Sequence, residues 1–319
     1  MSDGSFKLDS KALIAGFSSG AVTNLLLHPL DSVKTRLQSQ GRTDKFEVFK
    51  PKHHGYFAET IVGTKEIIKN EGWRALYQGV GSSVIGASVS WGLYFFIYNS
   101  VKSRYEKNGQ TPLTRYLILS SVTAGLATCL ATHPIWLVKT RMQLQNKKSL
   151  EKIVDPLSGR VVVPYKNSLD AVKRIISEEG LSALYIGLIP SLFLISHGVI
   201  NFVCYDELKS FYLKRRKNKG DNNLNALEGF VIGYLTKLVA VVSTYPLQVV
   251  KTRLQDQKNK YHHVRYDGMI DAFFKMKKYE GYRTFFRGII PHVVRTAPSG
   301  AITFMLYEQI MNVLNKIPV

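Results

Sequence analysis

One string of ten residues occurs three times in the chain, as Pro29-Leu-Asp-Ser-Val-Lys-Thr-Arg-Leu-Gln38, Pro134-Ile-Trp-Leu-Val-Lys-Thr-Arg-Met-Gln143 and Pro246-Leu-Gln-Val-Val-Lys-Thr-Arg-Leu-Gln255. The copies are separated by about one third of the 319 residues. A unit of that length is too long for one turn of a solenoid and holds two long helices and a loop. The sequence therefore predicts three tandem repeats, at 1–107, 108–218 and 219–319.

Long stretches of the chain are almost free of charged residues. Asp, Glu, Lys and Arg are absent from 12–30, 75–101, 116–138, 180–205 and 296–307, and 229–247 contains only Lys237. A bilayer span needs about 20 mostly apolar residues. Six buried helices of a soluble bundle are the alternative, but soluble helices of this length normally carry charges on their exposed face. The pattern predicts an all-α membrane protein with six transmembrane helices that form one domain, the shortest stretch spanning with its flanks.

The formal net charge of +20 is consistent with a nucleic acid, an anionic membrane surface or an anionic substrate as the partner. A soluble helical repeat protein that binds nucleic acid would need basic heptads, zinc-ligand pairs or an aromatic stacking motif, and the sequence has none. We therefore expect an anionic small-molecule substrate and contacts with membrane lipid, including an anionic lipid such as cardiolipin, and no nucleic acid.

The sequence offers no group of residues for catalysis. A metal-ligand spacing, a nucleophile beside a base and a glycine-rich phosphate loop are all missing, so we expect no enzyme activity, no metal and no cofactor. The two cysteines, Cys129 and Cys204, lie in apolar stretches and exclude a disulfide framework. The N-terminus has neither an apolar core nor an Arg-rich amphipathic pattern, so we expect no cleaved targeting segment.

The loops at about 39–72, 144–179 and 256–281 are rich in Lys and Arg and fall on one side if the helices alternate. Apolar residues three or four apart at 64–70 and 171–178 predict short helices on that membrane surface. Close helix packing is predicted at pairs of small residues four apart, namely Gly16/Gly20, Ser121/Gly125 and Gly229/Gly233.

The repeated string resembles the signature of the mitochondrial carrier family, Pro-x-acid-x-x-base-x-base, and the match is complete at Pro29, Asp31, Lys34 and Arg36. This resemblance implies pseudo-threefold symmetry around a central cavity and transport by alternating access. It also implies a monomer in the mitochondrial inner membrane with both termini toward the intermembrane space, although peroxisomes and plastids also host such carriers.

The resemblance implies a matrix gate at the repeated strings, where prolines inside helices remove a hydrogen bond and are predicted to kink them. Trp136 and Gln248 stand where the family has acids, so Asp31 is predicted to pair with Lys139 while Lys34 and Lys251 lose strong partners. The predicted kinks are at Pro29, Pro134 and Pro246, and the predicted gate residues are Asp31, Lys34, Trp136, Lys139, Gln248 and Lys251, braced by Gln38, Gln143 and Gln255.

A cytoplasmic gate is implied at the far ends of the even-numbered spans, in the aromatic-acid-x-x-base strings that begin at Tyr98, Tyr205 and Tyr307. Two ion pairs are available there. They are Lys102 with Asp206 and Lys209 with Glu308.

The family is thought to contact its substrate about seven residues after the glycine that opens each even-numbered span. Arg295 could bind phosphate or carboxylate bidentately, and Trp91 and Tyr94 could stack on a flat ring. Lys237 shares the gate-facing side of its helix and either binds an anion or lies at a helix contact. The complete predicted set is Gly86, Ala87, Leu194, Ile195 and Arg295, together with Trp91, Tyr94, Lys237, Asn24 and, as a weaker candidate, His197.

Four strings resemble the branch of this family that carries FAD and folate: Pro134-Ile-Trp136, Tyr245-Pro-Leu-Gln-Val-Val250, Trp91-Gly-Leu-Tyr-Phe95 and Arg295-Thr-Ala-Pro298. The resemblance implies transport of FAD between cytosol and matrix. Folate is the first alternative, followed by NAD or a pyrimidine nucleotide, and a membrane scaffold that does not transport is an alternative of another class.

Overall fold

The computed structural model describes residues 10–39, 55–107, 114–145, 163–215, 224–256 and 266–316. All regular structure within these ranges is helical, which confirms that the fold is all-α. The α-helices are α1 (Ser10–Ser39), α2 (Tyr56–Glu71), α3 (Val80–Lys107), α4 (Thr114–Leu144), α5 (Ser168–Glu179), α6 (Leu188–Phe193), α7 (Ser196–Arg215), α8 (Ala226–Gln255), α9 (Met269–Glu280) and α10 (Ile289–Lys316).

Each repeat contains a long helix, a short helix, a turn of 3₁₀ helix and a second long helix or helix pair. The 3₁₀ turns cover Trp73–Tyr77, Leu181–Tyr185 and Tyr282–Phe286. The short helices α2 and α5 lie where the apolar spacing predicts them, and α9 is their counterpart in the third repeat. Each has buried residues four apart, because one face packs on the long helices: Gly63 and Ile67, Ala171 and Ile175, and Ala272 and Met276.

The first long helix of each repeat extends through the whole signature string. α1, α4 and α8 contain Pro29, Pro134 and Pro246 in their interior. Proline lacks an amide hydrogen and so removes one backbone bond from the helix, but the next two turns continue in the helical conformation. The Lys and Arg of each signature therefore project from a helix rather than from a loop.

The long helices form a closed ring in which the largest contacts join different repeats. α1 packs on α10, α3 on α4, and α7 on α8, while α1, α4 and α8 also contact one another. Residues of the first signature from Asp31 to Gln38 are mostly buried. The ring is therefore a cone, and we call the end at which the three signature strings meet its floor.

Hydropathy identifies part of this ring as able to cross a membrane. Four helical segments of the described chain are long and apolar enough, namely Trp73–Val101, Leu119–Leu144, Leu181–Arg215 and Leu227–Gln255.

Two local predictions differ from the structure. The second span of the second repeat is interrupted at Leu194 and Ile195, because the Ile195 amide donates to the Leu192 carbonyl oxygen (3.1 Å) in a tighter turn. Close packing at the paired glycines of α1 is also wrong, since a Cβ atom at Gly16 or Gly20 would meet nothing within 4 Å. A small-residue pair permits close approach but does not supply the facing helix.

Candidate functional site: the floor of the cone

Asp31 is the centre of the floor and binds two cations. Lys139 Nζ donates to Asp31 Oδ2 (2.5 Å), and Arg295 Nη1 donates to Asp31 Oδ1 (2.5 Å). Gln143 Nε2 also donates to Oδ2 (3.3 Å), and the aspartate is 5% exposed. The pair with Lys139 is the one the sequence predicts. The sequence does not predict the pair with Arg295, which connects the predicted substrate site to the matrix gate.

The other gate lysines lack a carboxylate partner among the residues that the structure describes. Lys34 Nζ donates to Gln248 Oε1 (3.0 Å). Lys251 makes neither a hydrogen bond nor an ion pair with any described residue. The Trp136 indole Nε1 donates to Ser90 Oγ (3.2 Å), and its ring lies 5.3 Å from Lys139 Nζ.

The last base of each signature does not enter the gate but binds the glutamate that ends the next short helix. The shortest contacts are 2.6 Å for Arg36–Glu71, 2.6 Å for Arg141–Glu179 and 2.9 Å for Arg253–Glu280, and each pair is bidentate. Buried bidentate pairs of this kind have fixed geometry. The sequence interpretation missed these roles, although a Glu-Gly pair after each loop was the available signal.

The same arginines also connect one repeat to the next. Arg36 Nε donates to the Gln143 carbonyl oxygen (2.9 Å), Arg141 Nε to that of Gln255 (3.3 Å) and Arg253 Nε to that of Gln38 (2.6 Å). These bonds run from the first repeat to the second, to the third and back to the first. They form a closed cycle of hydrogen bonds around the floor, in which the acceptors are the backbone carbonyl oxygens of the signature glutamines.

The pKa of Glu280, which lies outside the long helices, shows how its pairing with Arg253 affects ionisation. Burial by itself would raise the pKa of Glu280, but the Arg253 guanidinium and the Thr284 hydroxyl hold the pKa of that carboxyl below its usual value. Arg253 Nη2 donates to Glu280 Oε2 (2.9 Å), and Thr284 Oγ1 donates to the same oxygen (2.7 Å). The glutamate is therefore held as a carboxylate.

The residue before each signature proline braces the turn that opens the second span. His28 Nε2 donates to the Gln78 carbonyl oxygen, His133 Nε2 to that of Ile186, and Tyr245 Oη to that of Arg287, at 3.0, 3.1 and 3.0 Å. Each ring also stacks on an aromatic ring of the adjacent 3₁₀ turn, at Tyr77, Tyr185 and Phe286.

Gly288 follows Arg287 at this brace in the third repeat. It has a φ of 77°, and a Cβ atom there would lie 2.8 Å from the Lys34 carbonyl oxygen. No larger residue fits without displacing α1, so the glycine sets how closely α10 approaches the floor.

Aromatic side chains form a ladder along α3. Trp91 and Tyr94 have ring centroids 6.2 Å apart in an edge arrangement, and Tyr94 stacks on Tyr98 at 6.1 Å. Trp91 is 62% exposed. The ladder therefore offers an accessible ring surface of the kind that stacks on flat heterocycles.

The structure corrects one predicted substrate contact. Gly86 is buried against α4, where a Cβ atom would lie 3.2 Å from Ile135 Cγ2 and 3.5 Å from the ring of Trp136. It allows two helices to pack closely and is not exposed to a ligand. The adjacent residue, Ala87, is half-buried.

The remaining candidates differ in how far their polar groups are already engaged. Asn24 Nδ2 donates to Ser83 Oγ (3.0 Å), and His197 Nδ1 is hydrogen-bonded to Thr244 Oγ1 (3.0 Å). Leu194 and Ile195 lie at the helix interruption and are half-buried. Lys237 is exposed and makes no hydrogen bond or ion pair with the described residues, so its ammonium group is available.

Of the two predicted ion pairs of the cytoplasmic gate, the structure describes both side chains of only one. Lys209 and Glu308, both in the described part of the chain, form no ion pair. The side chain of Lys102 lies outside the described residues, so its pair with Asp206 stays a prediction. The described ion pairs therefore hold the ring together at the floor, and Lys209 and Glu308 add none at the opposite end.

A separate pocket of about 640 Å³ lies between the second and third repeats, away from Arg295. Its arginine, Arg141, is already bound to Glu179, and Asp256 and Asp267 also line it. We therefore place the candidate anion site at the floor of the cone.

A ring of long helices with buried charges at one end is typical of a membrane transport protein. Residues 9–109, 111–216 and 222–318 each match the family described as mitochondrial carrier protein. The chain belongs to the mitochondrial carrier family and is a solute transporter of that family.

Curated relatives extend over almost the whole chain. It is 39% identical over 312 residues to folate transporter 1, chloroplastic, of Arabidopsis thaliana, with 95% of each chain covered. It is 35% identical over 297 residues to nicotinamide adenine dinucleotide transporter 1, chloroplastic, of the same plant (93% of this chain and 89% of the relative). It is 33% identical over 310 residues to mitochondrial nicotinamide adenine dinucleotide transporter 1 of Saccharomyces cerevisiae (95% and 77%).

Proposed function

We propose that this chain transports FAD across an organelle membrane by alternating access. The observation that carries the proposal is the position of Arg295, whose guanidinium lies at the floor beside Asp31 and is 31% exposed. A guanidinium binds phosphate oxygens through a planar pair of donors. The aromatic ladder of α3 supplies ring surface for the flat parts of the same cargo.

FAD combines the chemical features of the cargoes named for the relatives. One relative is named as a folate transporter and two as nicotinamide adenine dinucleotide transporters. Folate has a fused heterocycle, and the dinucleotide has an adenosine joined through a pyrophosphate; FAD has both. Folate is the second candidate, because the folate transporter is the most similar of these three relatives.

Transport requires Arg295 to exchange partners. In the structure its Nη1 donates to Asp31 Oδ1, so a cargo phosphate competes with that carboxylate. Once the phosphate has taken the guanidinium, Asp31 is held by Lys139 and Gln143 alone. The gate then loses one of its two ion pairs and opens more readily. Cargo binding therefore favours the open gate over the closed one, and alternating access needs such a difference between the two states.

We propose that all six long helical segments cross the membrane, including α1 and α10, whose polar residues face the cone. Both termini then lie at the end opposite the floor, and the chain acts as a monomer. A mitochondrial inner membrane is the proposed location; one relative is named as mitochondrial and two as chloroplastic. Contacts with anionic lipid such as cardiolipin also remain a proposal.

The direct test is uptake by the purified protein in liposomes, with labelled FAD, folate, NAD and a pyrimidine nucleotide offered in parallel. Saturable uptake of FAD is expected, and Arg295→Ala should reduce it by about 10- to 100-fold, the value of one charged hydrogen bond. Lys65→Ala, an exposed charge change on α2, is the control and should transport normally.

A second variant pair tests the aromatic ladder. Trp91→Ala should raise the KM for FAD by about 2- to 10-fold, the value of one stacking contact. Phe96→Ala removes an even more exposed ring of the same helix (70%) and should leave KM unchanged. Uptake of another compound with no FAD uptake would reject the cargo, and no uptake of any of the four would favour a membrane scaffold.

A further inference from the structure

The floor of the cone has too few acids for its cations. Lys34, Lys139 and Arg295 all interact electrostatically with Asp31, and Lys34 also interacts with Lys251. Among the described residues this cluster therefore contains four cations and one carboxylate, which leaves three positive charges without a described acid. Charged groups within a membrane protein are costly unless they are paired or hydrated.

Lys251 is the floor cation that has no acceptor among the described residues. Asp31 already binds Lys139 and Arg295 through its two oxygens, and Lys34 donates to Gln248. Lys251 is half-buried and makes no hydrogen bond with any described residue. It interacts electrostatically with the Cys129 thiol and with the cations Lys139 and Lys34, none of which compensates its charge.

Trp136 explains why the acceptor is missing. It occupies the acid position of the second signature, and its Nε1 donates to Ser90 Oγ rather than accepting from a lysine. Lys251 occupies in the third signature the position that Lys34 and Lys139 occupy in the other two. In the ring, the lysine of one signature faces the acid position of another. For Lys251 that acid position is occupied by the indole of Trp136.

We propose that Lys251, with Lys34 beside it, binds an oxyanion when the matrix gate is closed. This anion compensates the positive charge of Lys251, as a carboxylate at the missing acid position would. A phosphate or pyrophosphate group fits, because it carries negative charge and several acceptor oxygens for ammonium groups. The phosphate comes either from the cargo or from free inorganic phosphate or pyrophosphate. Only the first source rests on the proposed function.

The test is thermal unfolding of the purified full chain in detergent with increasing inorganic pyrophosphate. Binding to the folded state alone raises Tm, by about 3–5 °C at 100 times Kd for a chain of this size. Lys251→Gln should abolish the rise, Lys251→Arg should retain it because the charge is kept, and Lys65→Gln should leave it unchanged.

Trp136→Glu provides an independent test, because it places a carboxylate where Lys251 lacks one. This variant should lose the pyrophosphate effect even though all the floor cations remain. A rise that persists in both Lys251→Gln and Trp136→Glu would overturn the proposal. So would the absence of any rise in the wild type with both pyrophosphate and FAD.

A comparison of FAD with riboflavin, which lacks phosphate, tests the source of the anion separately from the proposed cargo. A Lys251-dependent rise with FAD but not with pyrophosphate supports a cargo phosphate at the site; a rise with both supports a general oxyanion site. A pyrophosphate effect without FAD transport keeps the site and rejects the cargo. FAD transport with a KM unchanged by Lys251→Gln, and no Tm effect, rejects the site and keeps the function.

Discussion

Asp31→Asn should destabilise the closed floor more than any other single change of acid to amide in the long helices. The substitution is nearly isosteric, but it removes the one carboxylate that holds both Lys139 and Arg295 at 2.5 Å. Removing one partner of a buried ion pair costs about 3–5 kcal/mol. The Arg295 side chain is 31% exposed and keeps part of its hydration, so the low end applies, about 3 kcal/mol.

The measurement is the Tm of the detergent-purified protein. A loss of about 3 kcal/mol corresponds to a fall of about 4–5 °C for a chain of this size. Asp206→Asn is the matched control, since Asp206 is exposed in the cytoplasmic gate and outside any described ion pair. The control should change Tm by about 1 °C or less, as surface substitutions do.

A double-mutant cycle with Arg295→Gln assigns the loss to the pair itself. If the two side chains interact as the structure has them, the double variant should lose at least about 1 kcal/mol less than the sum of the single variants. Equal Tm values for Asp31→Asn and Asp206→Asn, or strict additivity with Arg295→Gln, would refute the inference that Asp31 holds the floor closed through Arg295.

Two further predictions concern the signature arginines and the brace glycine. The pKa of Glu280 is lowered when the protein folds, so its pair with Arg253 stabilises the fold fully above the usual Glu pKa of about 4.3 and is lost as pH falls through the lower folded value. Between about pH 5 and pH 3 the Tm of the wild type should therefore fall more than the Tm of Glu280→Gln. Equal falls in the two proteins would contradict the stabilising role of the Glu280–Arg253 pair. Gly288→Ala should cost about 1–3 kcal/mol, because its φ is 77° and the new Cβ would lie 2.8 Å from a backbone oxygen of α1. Gly300→Ala, where a Cβ meets nothing within 4 Å, is its control; equal Tm values for the two variants would show that the close approach carries no strain.

The sequence predicts most of the architecture because the information is local and threefold. Apolar stretches predict long helices, and the spacing within each signature places its charges on particular faces of those helices. The pairing of Asp31 with Lys139 also followed, since only one of the three signatures keeps its acid. The helices and the faces of their side chains follow from the chain order and the helical period, whereas the pair of Asp31 with Lys139 follows from the resemblance to the mitochondrial carrier family.

Contacts that close the ring could not be predicted in the same way. Arg295 and Asp31 are 264 residues apart, and Arg253 donates to a carbonyl 215 residues away. Helical periodicity gives the face on which a side chain lies, but not the atom that faces it. The family resemblance likewise places Gly86 at the cargo site, although Gly86 packs against α4.

The sequence by itself determined a triplicated helical membrane carrier with an incomplete set of gate acids. Only the tertiary structure decided which cations share the remaining acid and which cation has none. The physical reason is that charge balance is a property of the closed ring. Asp31 has two oxygens, and whether Lys34, Lys251 or Arg295 reaches the second one depends on how α1, α8 and α10 approach the floor.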